Sequence, residues 1–364
     1  ESNKEVTSAE IYGIINGTVI ESEYNALGLV LSRTGTAPGK AAETETYSYD
    51  KRGQLISEQN SAGSWSYSYS EAGDRIEESD GNYTLKLSYR STGDLTGYEL
   101  YQNEKRVYYQ TMNYQNAGDL SEVRVGNTLV ASYETKNGRL YKRDRLSYGY
   151  GVYGQMTSEG ETEFSYDLRG RMTEIVESDG KKRSYSYSAS GELTGEVDEQ
   201  NGLNKTYEYD GMGNRVRQTS GSEVTEYEYG LGNRLTAVIK GADREAYEYD
   251  ADGNVTKAGT RTYEYNAFGK LIKESDGKYE WEYSYRPSGQ RYKKSRTRGG
   301  STETEYNLWL GEKLLGGLNS EKKLAWVYTY GLEKLQKTVY KYEEVWEPEL
   351  SQVTGEPIII GGVE

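Results

Sequence analysis

The chain has 364 residues, 44 Lys and Arg against 58 Asp and Glu, a net charge of −14, and neither Cys nor His. That double absence excludes disulfide frameworks, thiol nucleophiles, metal or haem ligation through Cys or His, and every His-dependent triad. Apolar residues make up 34%, against about 45–50% in ordinary domains, and the aromatic set is nearly all Tyr, with 38 against 5 Trp and 2 Phe.

A chain this polar would stay disordered if it were also poor in aromatics, and it is not. The ring of Tyr buries a large area while its hydroxyl still needs a partner or water, so the rings should lie near solvent in a thin β layer. No conventional globular core is expected.

Residues 1–19 open ESNKEVTSAE, lack the basic and apolar regions of a secretory signal, and are read as a lead-in strand segment. No apolar run approaches the ~18 residues of a membrane span. From residue 20 to 343 one unit recurs, Tyr-x-Tyr-(Asp/Asn/Ser)-x-x-Gly-x-(Leu/Val/Ile). Its first full copy is Tyr47, Tyr49, Asp50, Gly53 and Leu55. Phe164 replaces the first ring in the copy with Tyr166, Asp167 and Gly170. Later copies carry Tyr207, Tyr209, Asp210 and Gly213, then Tyr247, Tyr249, Asp250 and Gly253, then Tyr263, Tyr265 and Gly269. Turn glycines mark about 16 units, roughly 20 residues apart.

Tyr-x-Tyr sets two rings on one face of a strand, because side chains alternate with period 2. The Asp or Asn starts a tight turn, and the Gly supplies the positive φ that closes it. A second turn signal falls halfway through many units, as at Asp80-Gly81, Asp179-Gly180, Asn201-Gly202 and Asp276-Gly277. Each unit therefore reads as a β-hairpin. About 16 hairpins give on the order of 32 strands, an all-β strip roughly 150 Å long that must curl into a spiral, shell, tube or solenoid-like wall.

Tyr-x-Tyr-Asp-x-x-Gly-x-Leu at this period, over residues 20–343, resembles the Rhs family of YD-repeat proteins. The resemblance implies a long β strip spiralling into a hollow shell, as in bacterial polymorphic toxins, toxin complexes, wall-associated proteins and teneurins. Family cores in toxins end in an Asp-Pro-x-Gly self-cleavage motif. This chain has no Asp-Pro, and residues 344–364 form a tail without that signature. Neither autoproteolysis nor toxicity is carried over.

Other motifs have plainer readings. Gly149 to Gly154 spells G-x-G-x-x-G, but strand and turn residues follow it where a dinucleotide site needs a helix. Asp250-Ala251-Asp252-Gly253 is spaced like the start of a calcium loop, yet Gly259 stands where the bidentate Glu belongs. Paired carboxylates are no signal in an acidic chain. Arg286, Arg291, Lys293, Lys294, Arg296 and Arg298 form a basic run, read as a solvated strand face or as a dock for an anionic surface at Arg291 to Arg298. Tyrosine ladders are read as packing between strands, with sugar stacking as the alternative.

The sequence thus predicts a structural protein, not an enzyme, with no cofactor and no nucleic-acid partner. It should form part of an extracellular or cell-surface bacterial shell, tube or fibre. Its partners would be further copies joined through the terminal β-edges, the remainder of a larger shell, a cargo polypeptide, or a cell-surface glycan if it is instead an adhesin.

Overall fold

The computed structural model describes residues 17–116 and 118–340. The predicted lead-in segment up to residue 16 and the predicted tail 344–364 lie outside the described residues. The described chain is all β, with 32 strands from β1 (Val19–Tyr24) to β32 (Lys334–Val339) and one short 3-10 turn, Leu231–Asn233. Consecutive strands pair antiparallel, as β1 does with β2 (Val30–Thr36) and β31 (Leu324–Tyr330) does with β32. The predicted hairpin strip is therefore the observed fold.

The turn of the repeat has one construction. At residues 50–54 the Gly53 amide donates to the Asp50 carbonyl at 3.1 Å, and the Asp50 amide donates to the Gln54 carbonyl at 2.9 Å. Asp50 Oδ1 accepts from the amides of Arg52 and Gln54 at 2.8 and 2.9 Å. Gly53 has φ +80°, closing a type I turn with a bulge. Asp167, Asp210 and Asn266 hold their turns in the same way. Beyond the turn the register slips by one, between Ser48 and Tyr49, so that Tyr49 faces Leu55. At Tyr229 the turn keeps the same length and the same closing bond, Gly230 donating to Arg234 O at 2.8 Å, with Asn233 at φ +58° in the position that Gly53 fills.

In nine of the repeats the second Tyr then does one job. Its hydroxyl donates to the backbone carbonyl of the residue that opens the second strand of the preceding hairpin. Tyr69 reaches Leu55 O at 2.8 Å, Tyr187 reaches Met172 O at 2.7 Å, Tyr209 reaches Leu193 O at 2.7 Å, and Tyr249 reaches Leu235 O at 2.7 Å. Tyr114, Tyr150, Tyr229, Tyr285 and Tyr330 make the same bond. Phe cannot replace Tyr here, because the ring spans one hairpin and the hydroxyl fastens it to the last.

The chain divides into two compact units. In residues 133–261 most ring positions are half-buried, and the buried set is sparse, including Tyr148, Tyr207, Ala237 and Ala258. This is the thin layer that the composition predicts. The unit formed by residues 1–132 with 262–364 departs from it, because two stretches of the strip face each other and enclose a true core. Trp65, Tyr98, Leu100, Leu315, Leu318, Leu324 and Val327 are at most 1% exposed. The Trp65 and Tyr292 rings meet edge to face at 5.1 Å. Leu and Trp concentrate in these stretches, which is why a core forms here and not in the other unit.

Two substitutions in the thin unit test this construction. Tyr209→Phe is expected to lower stability by about 1–2 kcal/mol through the lost hydroxyl bond, read by urea unfolding. Gly213 has φ +84° and nothing within 4 Å of a Cβ placed on it, so only backbone strain opposes a side chain there. Gly213→Val should cost about 1–2 kcal/mol and Gly213→Asn less, since Asn tolerates the left-handed region; equal losses would argue against the turn.

Candidate functional site

The densest cluster of buried polar side chains lies where the two stretches of the larger unit face each other. The strand pattern places it. β4 (Leu55–Asn60) aligns Glu58 with Tyr47 on one side and with Trp65 of β5 (Gly63–Tyr69) on the other. Tyr67 of β5 aligns with Glu78 of β6 (Arg75–Ser79). Alternation turns these side chains to one face, which becomes the inside of the seam.

Opposite them, the turn after β27 (Glu280–Tyr285) delivers Arg286. Its Nη1 meets Glu78 Oε1 at 2.5 Å, with both side chains under a tenth exposed, and its guanidinium lies 5.0 Å from the Trp65 ring centroid. Arg75 holds the other oxygen of Glu78 at 3.1 Å. Tyr67 donates its hydroxyl to Glu58 Oε1 at 2.8 Å. Burial raises the Glu58 carboxyl above the ordinary Glu range, against the lowering pull of Tyr67, Ser288 and Arg286. Burial, with the nearby carboxylates of Glu58 and Glu78, also pushes the Tyr67 phenol up.

The seam is closed by side chains that grip main-chain carbonyls. Lys40 Nζ donates to Tyr265 O at 2.6 Å, Asn60 Nδ2 donates to Tyr285 O at 2.9 Å, and Gln110 Nε2 donates to Tyr330 O. Each acceptor is the second Tyr of a repeat, at the point where the register slips. The bulge thus turns a backbone carbonyl outward, and the facing stretch supplies an amide or ammonium to meet it. Tyr108, whose phenol burial raises to about 12, adds a 3.0 Å bond to Thr329 Oγ1.

Of the predicted repeat residues, Tyr47, Tyr265 and their neighbours enter this seam, while Tyr166, Tyr207, Tyr209, Tyr247 and Tyr249 belong to the thin unit. Sequence reasoning passed over the glutamates. Glu58, Glu78, Glu196 and Glu274 each stand five residues after a turn Gly. The first Tyr of the following unit donates to three of them, Tyr67 to Glu58, Tyr207 to Glu196 at 2.9 Å and Tyr283 to Glu274 at 3.1 Å. The extended pattern Gly-x-Leu-x-x-Glu, with Arg75 in place of Leu before Glu78, was a readable signal.

Of the predicted basic run, Arg286 is not on a solvated face but buried against Glu78, and the other five lie on β28 (Arg291–Arg298), between β27 and β29 (Ser301–Leu310). Arg296 pairs with Glu303 at 2.6 Å, Lys294 stands across from Glu305, and Arg298 donates to the Tyr279 hydroxyl at 3.0 Å. Arg291 lies over the Tyr283 ring at 5.6 Å, and Lys293 is aligned with Ser284 and Tyr306. Arg291, Lys294 and Arg296 share a surface groove with Glu303 and Glu305. The residues of the G-x-G-x-x-G stretch fall at the end of β13 (Leu146–Tyr150) and in its turn, with β14 (Met156–Glu159) following. Among the described residues no group of three Asp or Glu is placed to hold a metal ion, and no helix is long and apolar enough to cross a membrane.

The seam geometry is that of a lock, and two variants probe it. Arg286→Leu takes away one of the two cations that hold the buried Glu78 carboxylate and should cost about 3 kcal/mol. For Glu58 the folded value is raised, so folding favours the protonated form. Stability from this group is fully present below the unfolded Glu value of about 4.5 and falls as pH rises toward the raised folded value. In Glu58→Gln that decline should vanish from urea-derived stabilities measured between pH 4 and 7. An unaltered pH profile would place the Glu58 charge outside the seam energetics.

Comparison with known proteins agrees with this construction. The family profile described as Teneurin YD-shell matches residues 9–99 and 142–335. The tRNA nuclease WapA of Bacillus subtilis is 35% identical over 118 residues, covering 32% of this chain and 4% of that protein. Teneurin-3 of Mus musculus is 28% identical over 192 residues, covering 43% of this chain and 7% of its own. Among solved structures, the Photorhabdus luminescens Tc holotoxin pore superimposes with a TM-score of 0.57 at 14% identity, over 90% of this chain and 22% of that one. TcdB2-TccC3 without its hypervariable C-terminal region gives 0.57 at 15% identity over the same shares. This chain therefore spans less than a quarter of each of these relatives. With the profile matched over well more than half its length and the tyrosine-fastened hairpins running through it, the chain belongs to the teneurin YD-shell family, the YD-repeat proteins.

Proposed function

We propose that this chain is a section of wall in a hollow YD-repeat shell that works outside the cell or at its surface and encloses a polypeptide cargo. The observation that carries the reading is the recurrent tyrosine bond. It fastens each hairpin to the one before without needing a second layer, which is what a thin, extendable wall requires. The seam supports it as well, since strands of one stretch are built to grip the bulge carbonyls of another.

Thirty-two strands at ~4.8 Å make a strip roughly 150 Å long, enough to pass about once round a tube ~50 Å across. Closing a cavity at both ends therefore calls for more wall, supplied by the remainder of a longer shell or by further copies joined at the outermost strands. The chain's share of its solved relatives, 22%, is consistent with a partial wall. The proposed role is mechanical and has no catalytic step.

Electron microscopy of the purified chain tests the reading. Rings, arcs or tubes one sheet thick around a lumen are expected. Particles with no lumen at any concentration would count against it.

A further inference from the structure

The repeat turns differ in chemistry along one rim of the strip. In an antiparallel meander every Asp-x-x-Gly turn joins an odd strand to the next even one, so all of these turns share an edge. In the larger unit the turns at 50–53, 70–73 and 90–93 carry Lys51, Arg52, Glu71, Ser91 and Thr92 at their exposed tips, with Ala72 the one apolar residue among them. The apolar tip at 266–269 is covered. A Cβ on Gly35 would stand 2.8 Å from Ala267 Cβ and 3.1 Å from the Phe268 ring. The Arg33 guanidinium lies 5.0 Å from the centroid of that ring, and Asn266 donates to Glu43 at 2.8 Å. The next tip is seated too, with the Pro287 carbonyl accepting from the Tyr47 hydroxyl at 3.4 Å.

Residues 133–261 break this correspondence between apolar tips and cover. Val152, Tyr153, Leu168, Met212 and Leu231 occupy turn tips and are 94, 92, 108, 74 and 98% exposed. Ala189 and Ala251, at two further tips, are exposed as well, while the tip at Asn137 and Gly138 is polar. Successive hairpins place these tips about 10 Å apart, so they form a line of apolar side chains and not scattered single residues. Contiguous exposed apolar surface marks an interaction site. In the larger unit Leu27, 70% exposed, and Leu332, 46% exposed, give the first and last described turns of this edge the same character.

We propose that this rim is a docking edge and that its occupant is the sheet face of another YD-repeat strip. The chain itself shows how such a face receives a tip: a glycine notch (Gly35), a guanidinium beside it (Arg33), and side-chain amides such as Asn60 and Gln110 that meet the outward bulge carbonyls. The same turn type recurs in residues 133–261, so the same recognition applies there. The inference rests on the wall reading above and specifies which edge of the wall meets the next strip.

The absence of Cys makes the test direct. Leu168→Cys, Leu231→Cys and, as control, Thr92→Cys each create one site for a photo-crosslinker, and the probe is an isotope-labelled second copy of this chain. The two rim positions should crosslink to strand-face peptides of the labelled copy about tenfold more than Thr92→Cys does, and the combined Leu168→Glu, Met212→Glu and Leu231→Glu chain should self-associate about tenfold more weakly in sedimentation. Its melting temperature should be nearly unchanged, because these side chains are 74–108% exposed in the single chain. Equal crosslinking at rim and control positions, or unchanged association of the charged variant, overturns the docking edge. A wall that forms with a lumen but is indifferent to rim charge would sink this inference alone, whereas rim crosslinking without a lumen would sink the shell reading alone.

Discussion

One hydrogen bond organises this protein: the hydroxyl of the second Tyr donating, in nine of the repeats, to a main-chain carbonyl of the hairpin before it. A sheet this thin buries too little apolar surface per strand to be held by the hydrophobic effect alone. The Tyr ring covers its own hairpin, and its hydroxyl supplies a directional link to the previous one, at 2.6–2.8 Å wherever Tyr69, Tyr150, Tyr187, Tyr209 and Tyr249 make it. Stability is then distributed along the strip through nearest-neighbour links, as in other repeat architectures. The near absence of Phe follows, because Phe would cover the hairpin and leave the link unmade.

The bulge that accompanies the turn has a second consequence. Slipping the register by one frees the carbonyl of the same Tyr from regular pairing, and in the larger unit that carbonyl becomes the acceptor for Lys40, Asn60 and Gln110. The repeat therefore carries two linkages on one residue, a hydroxyl directed along the strip and a carbonyl directed across it. The buried Arg286–Glu78 pair adds little net attraction by itself. Removing Glu78 would strand the buried Arg286 charge, so the pair specifies which stretch faces which.

Much of this was legible in the sequence, and for identifiable reasons. Period-2 rings at Tyr47 and Tyr49, the Asp50 turn start and the Gly53 left-handed position are local features, and local features can be read from one copy and checked against the next. The Tyr–carbonyl bond was hidden because its acceptor is backbone and has no residue identity. The glutamates at 58, 78, 196 and 274 were visible at constant spacing but were lost in a chain rich in acids. The core around Trp65, Leu315 and Val327 depends on contacts more than 200 residues apart in sequence, which no periodicity encodes; composition alone pointed to a single thin layer. The basic run at 291–298 looked like a surface feature because its partners, Glu303 and Glu305, sit on the next strand, where the cross-strand register is needed to pair them.

The most direct measurement is hydrogen exchange on a chain in which Tyr187, Tyr209, Tyr229 and Tyr249 are all replaced by Phe. The rings and their apolar area stay, and only the hydroxyl links go. Protection should collapse across residues 172–249 while the strands around Trp65 and Tyr98 keep theirs, because each link acts on its neighbours. If protection in the substituted stretch matched that of the parent chain, the tyrosine bond would be incidental and the account built on it would be wrong.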